Sequence, residues 1–291
     1  MNRKRRFGDR SDGYKVRSLA PMFKVSPYIM KKRSDACNFL DDSIDIENAE
    51  KYIAEKRKEG LKGLGMLHLI VAAYVRTISQ RPGINRFING QKIYARNNIE
   101  INLAIKKDMK LNSMDTIIKL EVKPDATIKD IYDKFNTIIE ENRTEGDVSN
   151  FDSAARVIDY IPGLVKKFTV WLLSFLDYFG LLPRFLTRLS PFHGSFFITS
   201  MGSLGIPPIY HHIYDFGNVP VFCSYGAKRT QFELNREGKV IEKKYVDYKF
   251  VTDERICDGH YFASALKMFK SYMKNPECLT NPPEEVVEDI D

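Results

Sequence analysis

Hydrophobic residues recur along the chain with two different periods, and the shorter period is clearest in "IEINLAIKK". The apolar side chains of this stretch occupy every second position, at Ile99, Ile101, Leu103 and Ile105. A period of two is typical of a strand with one buried face. We therefore expect Glu100, Asn102 and Lys106 to face solvent. The preceding "RFINGQKIYA" predicts a hairpin around Asn89-Gly90.

The longer period predicts helices that follow strands in an irregular order. "ACNFLDDSIDIENAEKYIAEKRKEG" indicates a strand ending near Asp45, a helix cap at Asp45 or Asn48, and a polar helix running to Gly60. The next helix, "LGMLHLIVAAYVRTISQ", is apolar almost all round, so it should lie beneath a sheet with His68 in the core. Further elements are predicted in "DTIIKLEV", "IKDIYDKFNTIIEENR", "GSFFITSMG", "VPVFCSYGAKR", a hairpin at Glu237-Gly238 and a closing helix over 261–273. This order favours an α+β sandwich with a largely mixed sheet flanked by helices.

The segment 160–192 has a different composition and contains the only tryptophan. Its longest uncharged run, 168–176, is far shorter than the about 20 residues of a membrane-spanning helix. On a helical period, one narrow and mostly polar stripe contains Lys166, Lys167, Val170, Ser174 and Asp177. The opposite arc is apolar and contains Leu164, Phe168, Trp171, Leu172, Phe175 and Phe179. We expect an amphipathic helical insertion whose apolar face is covered by the same chain, by a neighbouring subunit or by a membrane interface.

The charge of the chain is concentrated at its ends. The net charge is +7; "NRKRR" opens the sequence and "PPEEVVEDID" closes it. We therefore predict a basic, disordered arm over 1–14, a folded domain over 15–275 and an acidic tail over 276–291. No nucleic-acid-binding motif accompanies the basic arm, so nucleic acid is not expected as a partner. The four cysteines form no CxxC pair and no apolar leader is evident, which favours a reducing cytoplasm without a structural metal.

Two short motifs carry the chemistry. "GSFFITSMGSLG" is similar to the G-x-F-T-[IL]-[ST]-x-x-G-x-x-G strand and turn of the 2-oxoacid dehydrogenase dihydrolipoyl acyltransferases, and "DERICDG" matches their D-H-R-x-x-D-G except at the histidine. "SIDIENAEKYI" and "GLGMLHLIVAAYVRTISQRPGINRFINGQKI" also resemble parts of this catalytic domain. Over roughly 15–275 the chain therefore resembles that family and, more distantly, chloramphenicol acetyltransferase. The resemblance implies an acyltransferase fold and a homotrimer with coenzyme A sites between subunits.

The resemblance also implies roles for individual residues. Glu254 stands where the family has its general base, and Thr199 is the expected hydrogen-bond donor to the oxyanion. Ser200 could make the same bond, and together with Gly202 and Gly205 it belongs to the turn expected to bind coenzyme A. Asp258 is expected to fix the active-site turn by pairing with Arg33, and Gly259 to permit the close turn; the same pair could be purely structural. His260 and His193 are candidates to replace the missing histidine.

The substitution of glutamate for histidine leaves the activity open. A free imidazole has a pKa of about 6.5 and a free glutamate one of about 4.3, so the carboxylate is the weaker base. Burial could strengthen it, whereas pairing with Arg255 would make Glu254 structural. No lipoyl module or Ala-Pro linker is evident, and the acidic end lacks an apolar anchor, so we expect an isolated trimer. Two interpretations follow: a stand-alone coenzyme A-dependent acyltransferase acting on a lipophilic acyl group or acceptor, or an inactive trimeric scaffold that binds a partner or a membrane. Under either interpretation we expect a cytoplasmic protein, with the segment 160–192 as its candidate contact with a membrane surface.

Overall fold

The computed structural model describes residues 4–106, 115–144 and 160–291. Its strands are β1 Gly13–Lys15, β2 Cys37–Asp45, β3 Arg86–Asn89, β4 Lys92–Arg96, β5 Ile99–Lys106, β6 Asp115–Val122, β7 Phe196–Ser200, β8 Val221–Leu234 and β9 Val240–Asp253. Its α-helices are α1 Pro21–Ile29, α2 Glu47–Lys58, α3 Met66–Gln80, α4 Ile128–Thr144, α5 Gly163–Tyr178, α6 Arg184–Leu189 and α7 Gly259–Lys274.

A six-stranded mixed sheet organises the molecule. Its strands lie in the order β2-β9-β8-β7-β5-β6, and β7 runs parallel to both β5 and β8 while the other pairs are antiparallel. The small sheet β1-β4-β3 contains the predicted hairpin, where Gly90 and Gln91 adopt positive φ angles of 53° and 57°. The two turn residues are thus Gly90 and Gln91, one position after the predicted Asn89-Gly90, and positive φ angles at both are the geometry of a type I′ hairpin turn. The predicted α+β class with a mixed sheet is confirmed.

Helix α3 is the central core element beneath this sheet, as its apolar sequence predicts. The ring of Tyr74 stacks on Phe196 of β7 with 3.8 Å between ring centroids. At the start of α3, His68 Nδ1 accepts a hydrogen bond from the Gly65 N–H at 3.1 Å and the ring packs against Phe135. Burial lowers the pKa of His68 to about 4. The histidine is therefore a neutral, hydrogen-bonded part of the core.

The second face of β5 is buried, which the alternating pattern did not predict. Glu100 and Asn102 are 8% and 0% exposed, because the segment 187–193 lies across them. Asn102 Nδ2 donates to the carbonyls of Pro191 and His193 at 3.0 and 3.2 Å. The prediction that these two residues face solvent is therefore wrong: the covering segment comes from far along the chain. The side chains of residues 105 and 106 lie outside the described residues.

Both ends of the chain pack on the body, although the sequence predicted a disordered arm over 1–14. Arg10 is 8% exposed and Gly13–Lys15 forms β1. In the tail, the Asp289 carboxylate accepts hydrogen bonds from Arg86 Nε at 2.7 Å and Arg86 Nη2 at 2.5 Å, and the Val287 N–H donates to the Ser79 carbonyl. Residues 9–14 and the tail are held against the body because charges at each end meet partners distant in sequence.

The insertion forms α5 and α6, and α5 attaches to the body through its polar side. Asp177 is 4% exposed, whereas Trp171 and Phe175 on the apolar side are 55% and 46% exposed. The Asp177 carboxylate binds Arg10 Nη2 at 2.8 Å, Asn89 Nδ2 at 2.8 Å and His193 Nε2 at 3.2 Å. Burial alone would raise the pKa of Asp177, but the contacts with His193 and Arg10 hold it well below its usual range. Asp177 therefore anchors the insertion as an ionised carboxylate.

None of the helices in the described ranges is both long and apolar enough to cross a bilayer.

We predict that Asp177→Ala lowers the free energy of unfolding by on the order of 3 kcal/mol, because it removes the carboxylate from a buried ion pair and leaves Arg10 with Asp12 alone. Arg188→Ala is the matched control, since Arg188 is an exposed charge in the same insertion. It should change stability by less than about 0.5 kcal/mol. Urea denaturation of both variants checks this, and equal effects would contradict the anchoring role.

Candidate functional site

The turn that carries Glu254 is held by a buried carboxylate directly before it. Asp253 is the last residue of β9 and is 1% exposed. Its carboxylate accepts two hydrogen bonds from the Arg255 guanidinium, from Nε to Oδ1 at 2.8 Å and from Nη2 to Oδ2 at 2.7 Å. Arg255 Nη1 continues to the Met30 carbonyl at 2.8 Å. The Arg255 guanidinium therefore binds Asp253 and the Met30 carbonyl and not Glu254, whose side chain is exposed. The interpretation of Glu254 as the structural partner of Arg255 is not supported.

Arg33 belongs to the same cluster and does not pair with Asp258. Its Nε lies 3.5 Å from Asp253 Oδ2, and its outer nitrogens donate to the carbonyls of Tyr214 and Gly217 at 2.7 and 2.8 Å. Asp258 accepts the Tyr261 N–H at 2.7 Å and caps α7. The predicted Arg33–Asp258 pair is thus corrected: the buried carboxylate that needs a cation is Asp253, while Asp258 is exposed. Sequence reasoning missed Asp253, although the Asp-x-Arg spacing in "DERICDG" carries the signal.

Gly259 begins α7 and its backbone shows no need for glycine. A Cβ added there would meet no atom within 4 Å. The expectation that this glycine permits a close turn is therefore not supported by the packing within one chain.

Glu254 lines an open groove of about 220 Å³ at the edge of the sheet. The groove lies between the edge strand β2 and the first turns of α7. Its other lining residues are Asn38, Phe39, Leu40, Thr252, Asp253, Cys257, Gly259, Phe262, Ala263 and Leu266. Most of this wall is apolar, and burial raises the pKa of the Cys257 thiol to about 12, so the thiol is neutral and unreactive at neutral pH. Glu254 therefore stands beside a mainly hydrophobic cleft.

The second motif forms β7 and the short turn after it. Thr199 is 8% exposed and lies on the face of the sheet shared with Phe197. The segment 206–219 covers this face; Ser224 Oγ binds both the N–H and the carbonyl of Ile209. The Ser200 hydroxyl hydrogen-bonds Tyr225, which offsets part of the rise that burial causes in the Tyr225 pKa. Both hydroxyls are thus at the same strand end, with Thr199 the more enclosed.

The two glycines of this turn have structural reasons to be glycine. A Cβ at Gly202 would lie 2.7 Å from the Gly226 carbonyl oxygen, so the turn can approach β8 only without a side chain. Gly205 adopts a φ of 72°, which favours glycine. Their part in binding coenzyme A, predicted from the motif, stays a prediction.

Thr199 and Glu254 do not meet within one chain. Through the strand register, Thr199 is level with Ser224 and then with Lys249, two strands away. Glu254 follows Lys249 by five residues along β9, which corresponds to roughly 16 Å of strand. The two residues are therefore well separated along the sheet and do not form one site within a single chain.

The histidines considered as substitutes for the missing base lie in different parts of the fold. His260 is exposed in the first turn of α7 but is not among the residues that line the groove of Glu254. His193 is 1% exposed; its Nδ1 lies 2.9 Å from Ser190 Oγ and its Nε2 contacts Asp177. Burial lowers the pKa of His193, so it is neutral in this anchor. His211 stacks flat on Phe222 at 4.0 Å. Of these three histidines, His260 alone belongs to the turn and helix start that directly follow Glu254.

We predict that Asp253→Ala destabilises the protein by on the order of 3 kcal/mol, because Arg33 and Arg255 both lose their carboxylate in the interior. Asp258→Ala is the matched control and should cost about 1 kcal/mol, the usual contribution of a helix cap. Thermal and urea unfolding of the two variants checks the order. A larger loss for Asp258→Ala would reinstate it as the partner of Arg33.

Several solved structures have the same fold. A probable dihydrolipoamide acetyltransferase from Listeria monocytogenes 4b F2365 is 16% identical, with 89% of this chain and 95% of that one covered and a TM-score of 0.57. The Azotobacter vinelandii dihydrolipoamide acetyltransferase is 13% identical, with 90% and 93% covered and a TM-score of 0.56. A chloramphenicol acetyltransferase is 13% identical, with 87% and 94% covered and a TM-score of 0.50.

These likenesses extend over nearly the whole chain, but their sequence identity is low. No protein-family model and no curated protein sequence matches the chain. At identities of 13–16%, what the likeness establishes is the fold. The chain has the acyltransferase-like fold of the dihydrolipoamide and chloramphenicol acetyltransferase domains, as the two motifs predicted.

Proposed function

We propose that the protein is a coenzyme A-dependent acyltransferase that acts as a homotrimer in the cytoplasm. The site would form where the Glu254 turn of one subunit meets the Thr199 strand of the next. The observation that carries this proposal is the state of Glu254: its neighbours Asp253 and Arg255 satisfy each other, and the Glu254 carboxylate is left exposed at the rim of an apolar groove. If Glu254 had only a structural role, we would expect its carboxylate to take part in the ion pair between Asp253 and Arg255.

The proposed reaction transfers an acyl group from the sulfur of coenzyme A to an acceptor hydroxyl or thiol. Glu254 accepts the proton of the acceptor, the acceptor attacks the thioester carbonyl, and the thiolate leaves and takes up a proton. Thr199, or Ser200 beside it, donates a hydrogen bond to the oxyanion. Phe262 and Leu266 in the groove wall favour a lipophilic acyl group or acceptor. His260 is the second candidate for the base, since it is exposed in the helix turn that follows Glu254.

A second candidate function is an inactive, trimeric scaffold. It is favoured by the enclosure of Thr199, which is 8% exposed beneath the segment 206–219. An oxyanion donor must touch the substrate, so this segment would have to leave part of Thr199 accessible in the trimer. The two candidates differ in whether acyl-coenzyme A is turned over or only bound.

We also propose that the segment 160–192 attaches the protein to a membrane surface. Its exposed charged residues Lys167, Arg184 and Arg188 are basic, while its single acidic residue, Asp177, is buried in the anchor. Phe168, Trp171 and Phe175 form a row of exposed rings 5.6 and 5.5 Å apart. Basic residues beside a broad aromatic face are typical of helices that lie in a membrane interface.

Glu254→Gln should lower acyl transfer by about 10²- to 10⁴-fold, the usual contribution of a general base, while Glu254→His should retain or raise it. A screen of acyl-coenzyme A hydrolysis and transfer with the three proteins measures this. Glu55→Gln, an exposed glutamate on α2, is the control and should behave as wild type. Coenzyme A binding without turnover in every protein would favour the scaffold, and the absence of both would refute the enzyme.

Subunit mixing tests the interface site directly. We predict that Thr199→Val and Glu254→Gln subunits are each nearly inactive alone, and that mixed trimers regain a fraction of wild-type activity because some interfaces combine an intact Thr199 with an intact Glu254. Co-expression with two different affinity tags isolates the mixed trimers. If the mixed trimers are as inactive as the parent variants, Thr199 and Glu254 do not act together across a subunit interface, and the interface site is refuted.

The single tryptophan makes membrane contact measurable. We predict that Trp171 fluorescence shifts to the blue and is quenched when the protein meets vesicles containing brominated phospholipid. Phe175→Glu should abolish this, because it places a charge in the apolar face. Phe232→Glu is the matched control, since Phe232 is 69% exposed on the distant β8–β9 hairpin. Unchanged fluorescence with lipid would refute membrane contact by this helix.

A further inference from the structure

A basic groove of about 310 Å³ separates α1 from the β3–β4 hairpin. The charged residues among those that line it are all basic: Lys15, Arg17, Lys24 and Lys92. Arg17 is engaged by Asp9 at 2.8 Å and lies 3.7 Å from Asp291. Lys15, Lys24 and Lys92 have no ion-pair partner among the described residues. Several uncompensated cations around one concave surface focus a positive potential there and attract an anionic group.

The groove continues into a second cavity of about 230 Å³ on the other side of Gln91, which lines both. This cavity adds two exposed cations, Lys31 and Lys32. The two carboxylates that line it are already engaged, Asp177 in the anchor and Asp215 by the N–H and hydroxyl of Ser34 at 2.9 and 3.1 Å. The positive surface therefore extends from α1 to the foot of α5.

Hydrogen bonding joins this surface to the insertion. Tyr178 Oη, at the end of α5, donates to Gln91 Oε1 at 3.0 Å. A Cβ at Gly90 would lie 2.5 Å from the Tyr178 carbonyl oxygen, so the hairpin and α5 are in close contact. The exposed aromatic row of α5 thus begins where the basic groove ends.

Helix α1 supplies a second exposed apolar rim on the far side of the groove. Met22 and Ile29 are 71% and 67% exposed, and Val25 and Tyr28 are also exposed. Lys24 lies among them and turns into the groove. Two apolar helices, from opposite parts of the sequence, therefore flank one concentrated row of cations.

We infer that α1, the basic groove and α5 together form a docking surface for a membrane rich in anionic phospholipid, and that the groove receives the headgroup phosphates. This inference rests on the proposed membrane contact of segment 160–192 and gives it a lipid specificity. Charge complementarity favours this occupant over a second copy of the chain, because a self-contact on this face would bring the lysines of the two copies together. Aromatic and aliphatic side chains enter the interface while the lysines stay at phosphate level.

The test compares vesicles of phosphatidylcholine alone with vesicles that also contain phosphatidylglycerol. The groove variant carries Lys15→Gln, Lys24→Gln and Lys92→Gln. Its control carries Lys58→Gln, Lys62→Gln and Lys267→Gln, which remove the same charge from exposed positions away from the groove. Co-sedimentation and Trp171 quenching are measured over a range of salt concentrations, and circular dichroism confirms that each variant is folded.

We expect wild type and control to prefer the anionic vesicles, with affinity that falls as salt rises. The groove variant should lose on the order of 100-fold, since each lysine at an anionic surface contributes about a factor of five. Equal binding of groove variant and control would overturn the headgroup site but leave the contact by segment 160–192. No binding of wild type to either vesicle would overturn both. A Trp171 shift that follows protein concentration without lipid would assign the face to a second copy instead.

Discussion

A carboxylate taken out of water must keep a cationic or hydrogen-bonding partner, and two buried aspartates impose this constraint on the whole fold. Asp177 draws together the N-terminal segment through Arg10, the β3–β4 hairpin through Asn89 and the start of β7 through His193. Asp253 draws in Arg255 and Arg33. Neither aspartate can leave its place without stranding an arginine in the interior, so segments far apart in sequence are fixed together.

The two anchors also determine which groups remain available. Because α5 is held through Asp177, its narrow polar side meets the body and its aromatic side has nothing of the described chain over it. Because Arg255 is held by Asp253, the next carboxylate along the chain, Glu254, points to solvent beside an apolar groove. Both proposed roles, chemistry at Glu254 and contact through α5, therefore depend on ion pairs formed by other residues: Asp253 with Arg255, and Asp177 with Arg10.

Local sequence patterns predicted the elements well and their surroundings poorly. The Asn89-Gly90 hairpin, the end of β2 at Asp45 and the buried helix α3 depend on neighbours in sequence, and each was predicted correctly. Burial of Glu100 depends on a segment about ninety residues further on, and packing of the tail depends on Asp289 meeting Arg86. Arg33 was assigned to Asp258 because a motif suggested it; only the three-dimensional arrangement shows which of two aspartates is buried.

The order and direction of the strands restrict the proposed site more than the types of residue present do. Strand β8 runs parallel to β7 and antiparallel to β9. The end of β9, which Glu254 follows, therefore lies level with the start of β7, whereas Thr199 and Ser200 lie at the end of β7. A carboxylate alone can remove a proton from an acceptor, but without a donor at the oxyanion most of the barrier to acyl transfer remains. The groove of Glu254 opens beside β2, the free edge of the six-stranded sheet. In the proposed reaction, a second subunit placed against that edge would supply the hydroxyl, whereas a single chain would hold the proposed base, Glu254, without an oxyanion donor beside it.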